Sequence, residues 1–166
     1  TKLENLETKH VVLVNGGSFG AWCWYKTATL LKETGYQADA INLTSSGAHS
    51  FDSNNITTLS EYVKPLTDCL DKLPDGNKVI LVCHDIGGVF VYYAMELHRS
   101  KVSKAVFIVA AMLKNGQSVL DMFTMQIGSN DLCQHSQKFL YANSKNHPQT
   151  TIDFDKSLLE DGMLNQ

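Results

Sequence analysis

The stretch Val82-Cys83-His84-Asp85-Ile86-Gly87-Gly88 directly follows the apolar run Val79-Ile80-Leu81 and directly precedes a helical pattern. That is the outline of a nucleophile elbow, in which a strand turns sharply into a helix and holds one side chain up at the tip. A carboxylate, Asp85, stands where serine is usual, and that substitution decides which chemistry is open to the site.

Working outward from the elbow, His10-Val11-Val12-Leu13-Val14 is a continuous apolar run rich in β-branched residues, which suits a strand buried on both faces of a parallel sheet. The glycine-rich turn Asn15-Gly16-Gly17-Ser18-Phe19-Gly20 follows it. Ala21 to Glu33 reads as a helix closed by Gly35, and Ala38 to Leu43 as a second strand. Thr58-Leu59-Ser60-Glu61 matches a capping box, and Leu59, Tyr62, Val63, Leu66, Leu70 and Leu73 recur at helical spacing. Pro65 should kink that helix, and Pro74 with Gly76 should end it. Lys78 to Cys83 is a third strand, Gly87 to His98 a helix and Lys104 to Ala110 a fourth strand. Strands alternating with helices at this spacing predict an α/β fold with a parallel sheet built by right-handed crossovers. Beyond Ala111 the pattern changes: Gln117 to Met125, Asn130 to Ala142 and Asp153 to Met163 look helical, with no further strand expected.

With 166 residues, 43% hydrophobic and 19% charged, the chain can bury one sizeable core and shows neither repeats nor low-complexity segments. A formal charge of -3 leaves no basic surface for phosphates, so no nucleic-acid partner is expected. No apolar stretch approaches the roughly 20 residues needed to cross a bilayer, so no membrane association is expected and the chain reads as soluble. The 4 cysteines (Cys23, Cys69, Cys83, Cys133) form no CxxC pair and read as reduced core thiols. No two of the 6 histidines make a ligand pair at helical spacing, so no metal is expected. The Asn15–Gly20 turn could cradle a phosphate, but a dinucleotide fingerprint wants glycine at Asn15 and an acidic residue where Asn42-Leu43 ends the next strand. No cofactor is expected. Two sequons, Asn42-Leu43-Thr44 and Asn55-Ile56-Thr57, would matter only in a secreted protein, and the chain begins at Thr1 without a signal peptide.

The turn NGGSFGAWCWYK, the elbow CHDIGG and the following SKVSKAVFIVAAML resemble the plant methylesterase and hydroxynitrile lyase family of α/β-hydrolases. The likeness is greatest to a methylesterase subgroup with aspartate at the elbow and a predicted chloroplast location, and it continues through GQSVLDMF, KFLYAN and TTIDFDKSLLED. The resemblance implies an α/β-hydrolase fold: a partial parallel sheet of about four strands flanked by helices, with a core over residues 1–114 and the start of an incomplete helical cap over 115–166. It also implies a longer protein, whose later strands would deliver the acid and histidine of a catalytic triad. Location would be the chloroplast by this resemblance and cytoplasmic otherwise.

By the same resemblance Asp85 holds the catalytic position, and the backbone N–H groups of Gly17 and Ile86 are the oxyanion donors. Asn15, Ser18, Phe19 and Trp22 are the expected substrate contacts, because they lie in or beside the turn that faces the elbow. His84 is expected to pack rather than react, and the acidic run Asp153, Asp155, Glu160, Asp161 to be a solvated helix face. Read from the residues alone, Asp85 in a DIGG turn is more often a helix N-cap than a functional carboxylate, and it is the motif on both sides that reverses this.

The chemistry separates three readings. The first is a carboxylic-ester hydrolase acting on a small ester; its difficulty is that a carboxylate attacking an ester carbonyl makes an anhydride and must expel a far more basic alkoxide. The second is a ligand-binding or vestigial domain, favoured by Asn15 where a histidine usually opens the turn and by Cys83 where glycine usually leads the elbow. The third is a hydrolase of epoxides or alkyl halides, in which a carboxylate displaces a leaving group at saturated carbon; such enzymes typically carry tryptophan where Ile86 stands here. The apolar outer edge of the last strand, Ala105–Ala110, further predicts poor solubility or a homodimer.

Overall fold

Four short strands become one sheet because each can complete its backbone hydrogen bonds only against another. The computed structural model describes residues 8–17, 19–47, 56, 58–114, 116–117, 137–140 and 151–154. These fall into two compact units, one within Thr1–Ser50 and Leu59–Met112, the other within Phe51–Thr58 and Leu113–Gln166.

The first unit holds β1 (His10–Val14), α1 (Tyr25–Glu33), β2 (Gln37–Ile41), α2 (Leu59–Asp71), β3 (Val79–Asp85), α3 (Gly87–Leu97) and β4 (Val102–Ala110). The strands are all parallel in the order β2-β1-β3-β4. β1 and β3 are the central pair, in register from Val11↔Ile80 to Val14↔Cys83. The chain leaves β1 toward β2 on one side and returns as β3 on the other, so the carboxyl ends of β1 and β3 flank the point where strand order reverses. In open α/β sheets that crevice is where ligands bind.

The pleat divides the core. Val11 and Leu13 point to one face, where Trp24 is buried against them with Cys23, Ala28, Leu31, Ile80 and Val82 around it. Val79, Leu81 and Cys83 of β3 face the other way and are fully buried. The residues before α1, Ala21–Trp24, wind as a 3-10 turn rather than as the first turn of an α-helix. Its end is as expected: Gly35 takes φ +86, a left-handed conformation that glycine adopts without penalty. β2 runs Gln37–Ile41 instead of Ala38–Leu43, because its ladder is only as long as the five-residue β1 it pairs with.

α2 is amphipathic, burying Val63, Leu66 and Leu70, and it continues through Pro65 without a break. Proline has no N–H to offer the carbonyl four residues back, that of Glu61. The Thr44 hydroxyl donates to that oxygen at 2.8 Å and satisfies it from outside the helix. Past the other end, the Lys101 ammonium donates to the carbonyls of Leu73 at 2.8 Å and Pro74 at 3.3 Å.

The second unit corrects the expectation of helices without strands. β5 (Gln137–Leu140) and β6 (Thr151–Phe154) form an antiparallel ribbon, registered from Gln137↔Phe154 to Leu140↔Thr151. Thr151-Ile152-Asp153-Phe154 alternates polar and apolar with period 2, the signature of a half-buried strand, but over too few residues to outweigh the surrounding helical spacing. Residues 118–125, 130–136, 141–142 and 155–163 of the three expected helices lie outside the described residues.

Candidate active site

Strand β3 does not stop at Cys83; it carries on through His84 to Asp85, where the backbone flips to φ +52. A side chain there costs on the order of 1 kcal/mol, less for aspartate than for most residues. Ile86 returns to helical angles (φ -60, ψ -17), and α3 begins at Gly87. A strand, one left-handed residue and a helix make a sharp corner with Asp85 at its tip.

The corner is held from three directions. On β4 the register skips between His84↔Ile108 and Asp85↔Ala110, so Val109 is an extra residue, a bulge opposite the elbow. Beyond it the Ala111 N–H donates to the Asp85 carbonyl at 2.8 Å. From β1, the Asn15 carbonyl comes so close that a Cβ at Gly87 would lie 2.7 Å from its oxygen, so glycine is needed where helix and turn touch. The leading residue, Cys83, fits despite its bulk: its thiol is fully buried and donates to the Val106 carbonyl at 3.6 Å. Burial with nothing to stabilise a thiolate pushes it up to about 11.

The turn after β1 is organised from within. Asn15 is 0% exposed; its amide donates to the Gly16 carbonyl at 2.9 Å and to the Phe19 carbonyl, fixing the loop that carries Gly16 and Gly17. Its Oδ1 is buried with no partner among the described residues. Asn15 therefore shapes the turn instead of presenting a polar group to solvent. A second anchor, absent from the expected set, is Asn42 at the end of β2: its Oδ1 accepts from the Ala21 N–H at 2.7 Å and lies against the close contact of Gly20 with Gly47. An asparagine directly after strand β2 was the signal available in the sequence, since its side chain can take the place of a backbone partner.

The two turns meet. The Gly17 N–H donates to Asp85 Oδ2 at 3.2 Å. A Cβ on Gly16 would sit 2.6 Å from that same oxygen, so only bare backbone lets the carboxylate lie here. Ile86 is buried, and its Cγ2 would be 3.3 Å from a Cβ on Gly17. Asp85 itself is exposed. Among the described residues its carboxylate has this one hydrogen bond, which leaves Oδ1 free.

Around this pair lies an aromatic wall. His84 packs between Trp24, at 5.2 Å between ring centroids, and Phe19, at 5.9 Å; its Nε2 is 3.9 Å from the Cys23 Sγ. Phe19 also meets Trp22 at 5.9 Å, and Trp22 is 61% exposed whereas Trp24 is buried. The structure thus brings together Asp85, Gly17, Ile86, Asn15 and Phe19, with Trp22 on the open side of Phe19. Ser18, together with Cys133, His49, His135 and His147, lies outside the described residues. Among the described residues no group of three His, Cys, Asp or Glu side chains could hold a metal ion, and no helix is long and apolar enough to cross a membrane.

The family model described as "Alpha/beta hydrolase family" matches residues 11–147. The protein named "Putative methylesterase 11, chloroplastic" of Arabidopsis thaliana is 60% identical over 165 residues, which make up 99% of this chain and 42% of that relative. The crystal structure of a methylesterase from Arabidopsis superposes with a TM-score of 0.72 at 32% identity, covering 91% of this chain and 56% of that one. Polyneuridine aldehyde esterase superposes with a TM-score of 0.79 at 30% identity, covering 92% of this chain and 60% of that one. The chain therefore spans less than two thirds of the length of each of these proteins.

Proposed function

Since the chain belongs to the alpha/beta hydrolase family, we propose that it supplies the nucleophile turn and the two oxyanion donors of a methylesterase-like hydrolase that cleaves a small carboxylic ester. The observation that carries this reading is the hydrogen bond of 3.2 Å from the Gly17 N–H to Asp85 Oδ2: the carboxylate stands at the tip of the elbow and within reach of the donor. In this reading Asp85 is the reacting group, Gly17 and Ile86 provide the backbone donors, and Phe19 and Trp22 offer apolar surface to the substrate. We place residues 115–166, which include the β5–β6 ribbon, in a cap segment. The relative named chloroplastic supports a chloroplast location for the protein.

The test is turnover of small methyl and aryl esters. Activity that disappears in Asp85→Ala, with folding unchanged by circular dichroism, supports the proposal; an Asp85→Ala variant as active as the parent chain removes it. One observation favours a second reading, a pocket that binds without turnover: the Gly17 donor is already occupied by the chain's own carboxylate. Saturable binding of an ester or its acid by calorimetry, with no product formed, would select that reading instead.

A further inference from the structure

We infer that Asp85 attacks the alkyl carbon of an ester and leaves the acyl carbon untouched, an inference that rests on the ester-cleaving reading above. Two observations lead here. The amide donor that a substrate carbonyl would need, Gly17 N–H, is 3.2 Å from Asp85's own Oδ2, and a Cβ on the neighbouring Gly16 would come within 2.6 Å of that oxygen and 2.7 Å of the Asp85 Cβ, so the bare glycine makes room for this side chain. The other oxygen, Oδ1, belongs to an exposed side chain and has no hydrogen bond among the described residues. One oxygen is held and the other is presented.

The chemistry follows from which bond can break. At the acyl carbon a carboxylate would have to expel an alkoxide, a much stronger base than itself, and the step reverts. At a methyl carbon it expels a second carboxylate, a base of its own strength, and the exchange is close to balanced. Oδ1 donates an electron pair to the methyl carbon, the substrate's O–CH3 bond breaks, and its electron pair leaves with the released carboxylate. Asp85 is now a methyl ester whose carbonyl oxygen is Oδ2. Water adds to Cγ, and the charge that develops on Oδ2 falls on the oxygen already faced by the Gly17 N–H. The Cγ–OCH3 bond then breaks, methanol leaves with one proton of the water, the other proton goes to solvent, and the carboxylate is restored with one solvent oxygen. The donor geometry thus serves charge on the enzyme's own carboxyl group, as a nucleophilic carboxylate requires.

The experiment follows oxygen and methyl. The chain is incubated with methyl para-nitrobenzoate in water enriched in heavy oxygen, and separately with methyl para-nitrobenzenesulfonate, which can give up a methyl group but has no acyl carbon. The acid released from the benzoate should contain no solvent oxygen, and the heavy atom should appear on Asp85 in the peptide mass spectrum. The sulfonate should methylate Asp85 at least about tenfold over any other carboxylate, and Asp85→Asn should lose that methylation. Asp85→Ser provides the contrast, since a hydroxyl that attacks the acyl carbon passes its proton to the departing methanol, and water then hydrolyses the acyl-serine and places solvent oxygen in the acid. Heavy oxygen in the acid made by the unaltered chain overturns the inference and leaves ester hydrolysis standing. No ester cleaved and no methyl on Asp85 would remove both.

Discussion

β1 and β4 are written in the same apolar, largely β-branched alphabet, yet Val12, Leu13 and Val14 of β1 are 0% exposed, whereas Val106 and Ile108 of β4 are 45% exposed and Val109 is 96% exposed. β1 lies between β2 and β3, with Trp24 packed on one face. β4 has a partner only on its β3 side among the described residues. Its inward positions rest against α3, but Val106 and Ile108 fall on the opposite face, beyond the cover that α1 gives to β1. Apolar sequence makes a strand; neighbours make it a core. The difference also places the candidate site, because the crowded centre fixes the corner at Asp85 while the bulge at Val109 takes up the misfit on the open side.

Cutting into the centre gives the largest expected effect. Leu81→Ala, at a fully buried position, should cost about 3 kcal/mol in urea unfolding; a loss no larger than that of Ile108→Ala would erase the distinction between the two strands. The next effect is a pH dependence carried by the centre. The Cys83 thiol moves from 9.0 to about 11 on folding, so below pH 9 it is protonated in both states and costs nothing. As pH rises from 9 to 11 the unfolded chain releases a proton that the folded chain retains, and stability falls by about 1.4 kcal/mol per pH unit. Cys69 and Tyr62, also raised by burial, add to the loss with the same sign, so the readout is the difference between the parent chain and Cys83→Ala, whose alkaline decline should be shallower. Parallel pH curves for the two would show that Cys83 does not titrate as its burial requires.

On the open strand the signs should change. Val109 is β-branched at φ +43, so Val109→Gly should relieve strain and stabilise the fold by about 1 kcal/mol while giving up almost no buried surface. A thermal midpoint that drops would mean that the exposed side chain makes contacts that offset its strain. Smallest in stability, Ile108→Lys should shift it by less than about 0.5 kcal/mol, yet it should abolish concentration-dependent self-association through the apolar β4 edge. Sedimentation velocity decides this, and a parent chain that remains monomeric at every concentration would break the comparison from the other side.

Much of this architecture was legible because it rests on local signals. The runs at His10–Val14 and Val79–Val82, the closing Gly35 and the pair Gly87-Gly88 each announce an element or its end. What escaped depends on partners distant in sequence. β3 runs on to Asp85 because β4 continues to pair with it, and β2 is cut to the length of β1. The β5–β6 ribbon was missed because four residues of alternation carry less weight than a long stretch of helical spacing. In the site, Asp85 and the glycines of the facing turn could be picked from their motif, but the inward turn of Asn15 could not, and the place of Asn42 after β2 hinted at an anchor without saying what it holds. Asparagine is equally at home exposed or buried, and only the surroundings choose.

The sequence by itself determined that this chain alternates strands with helices, that glycines mark its tight turns, and that an acidic residue stands at the strand-to-helix corner, since these follow from propensity, periodicity and the backbone freedom of single residues. The tertiary structure decided which strands lie side by side, which apolar side chains lose contact with water, and that the Gly17 amide meets one oxygen of Asp85, 68 positions away. Those outcomes depend on loop closure and on complete backbone pairing in the sheet, which belong to the folded chain as a whole and to no segment of it.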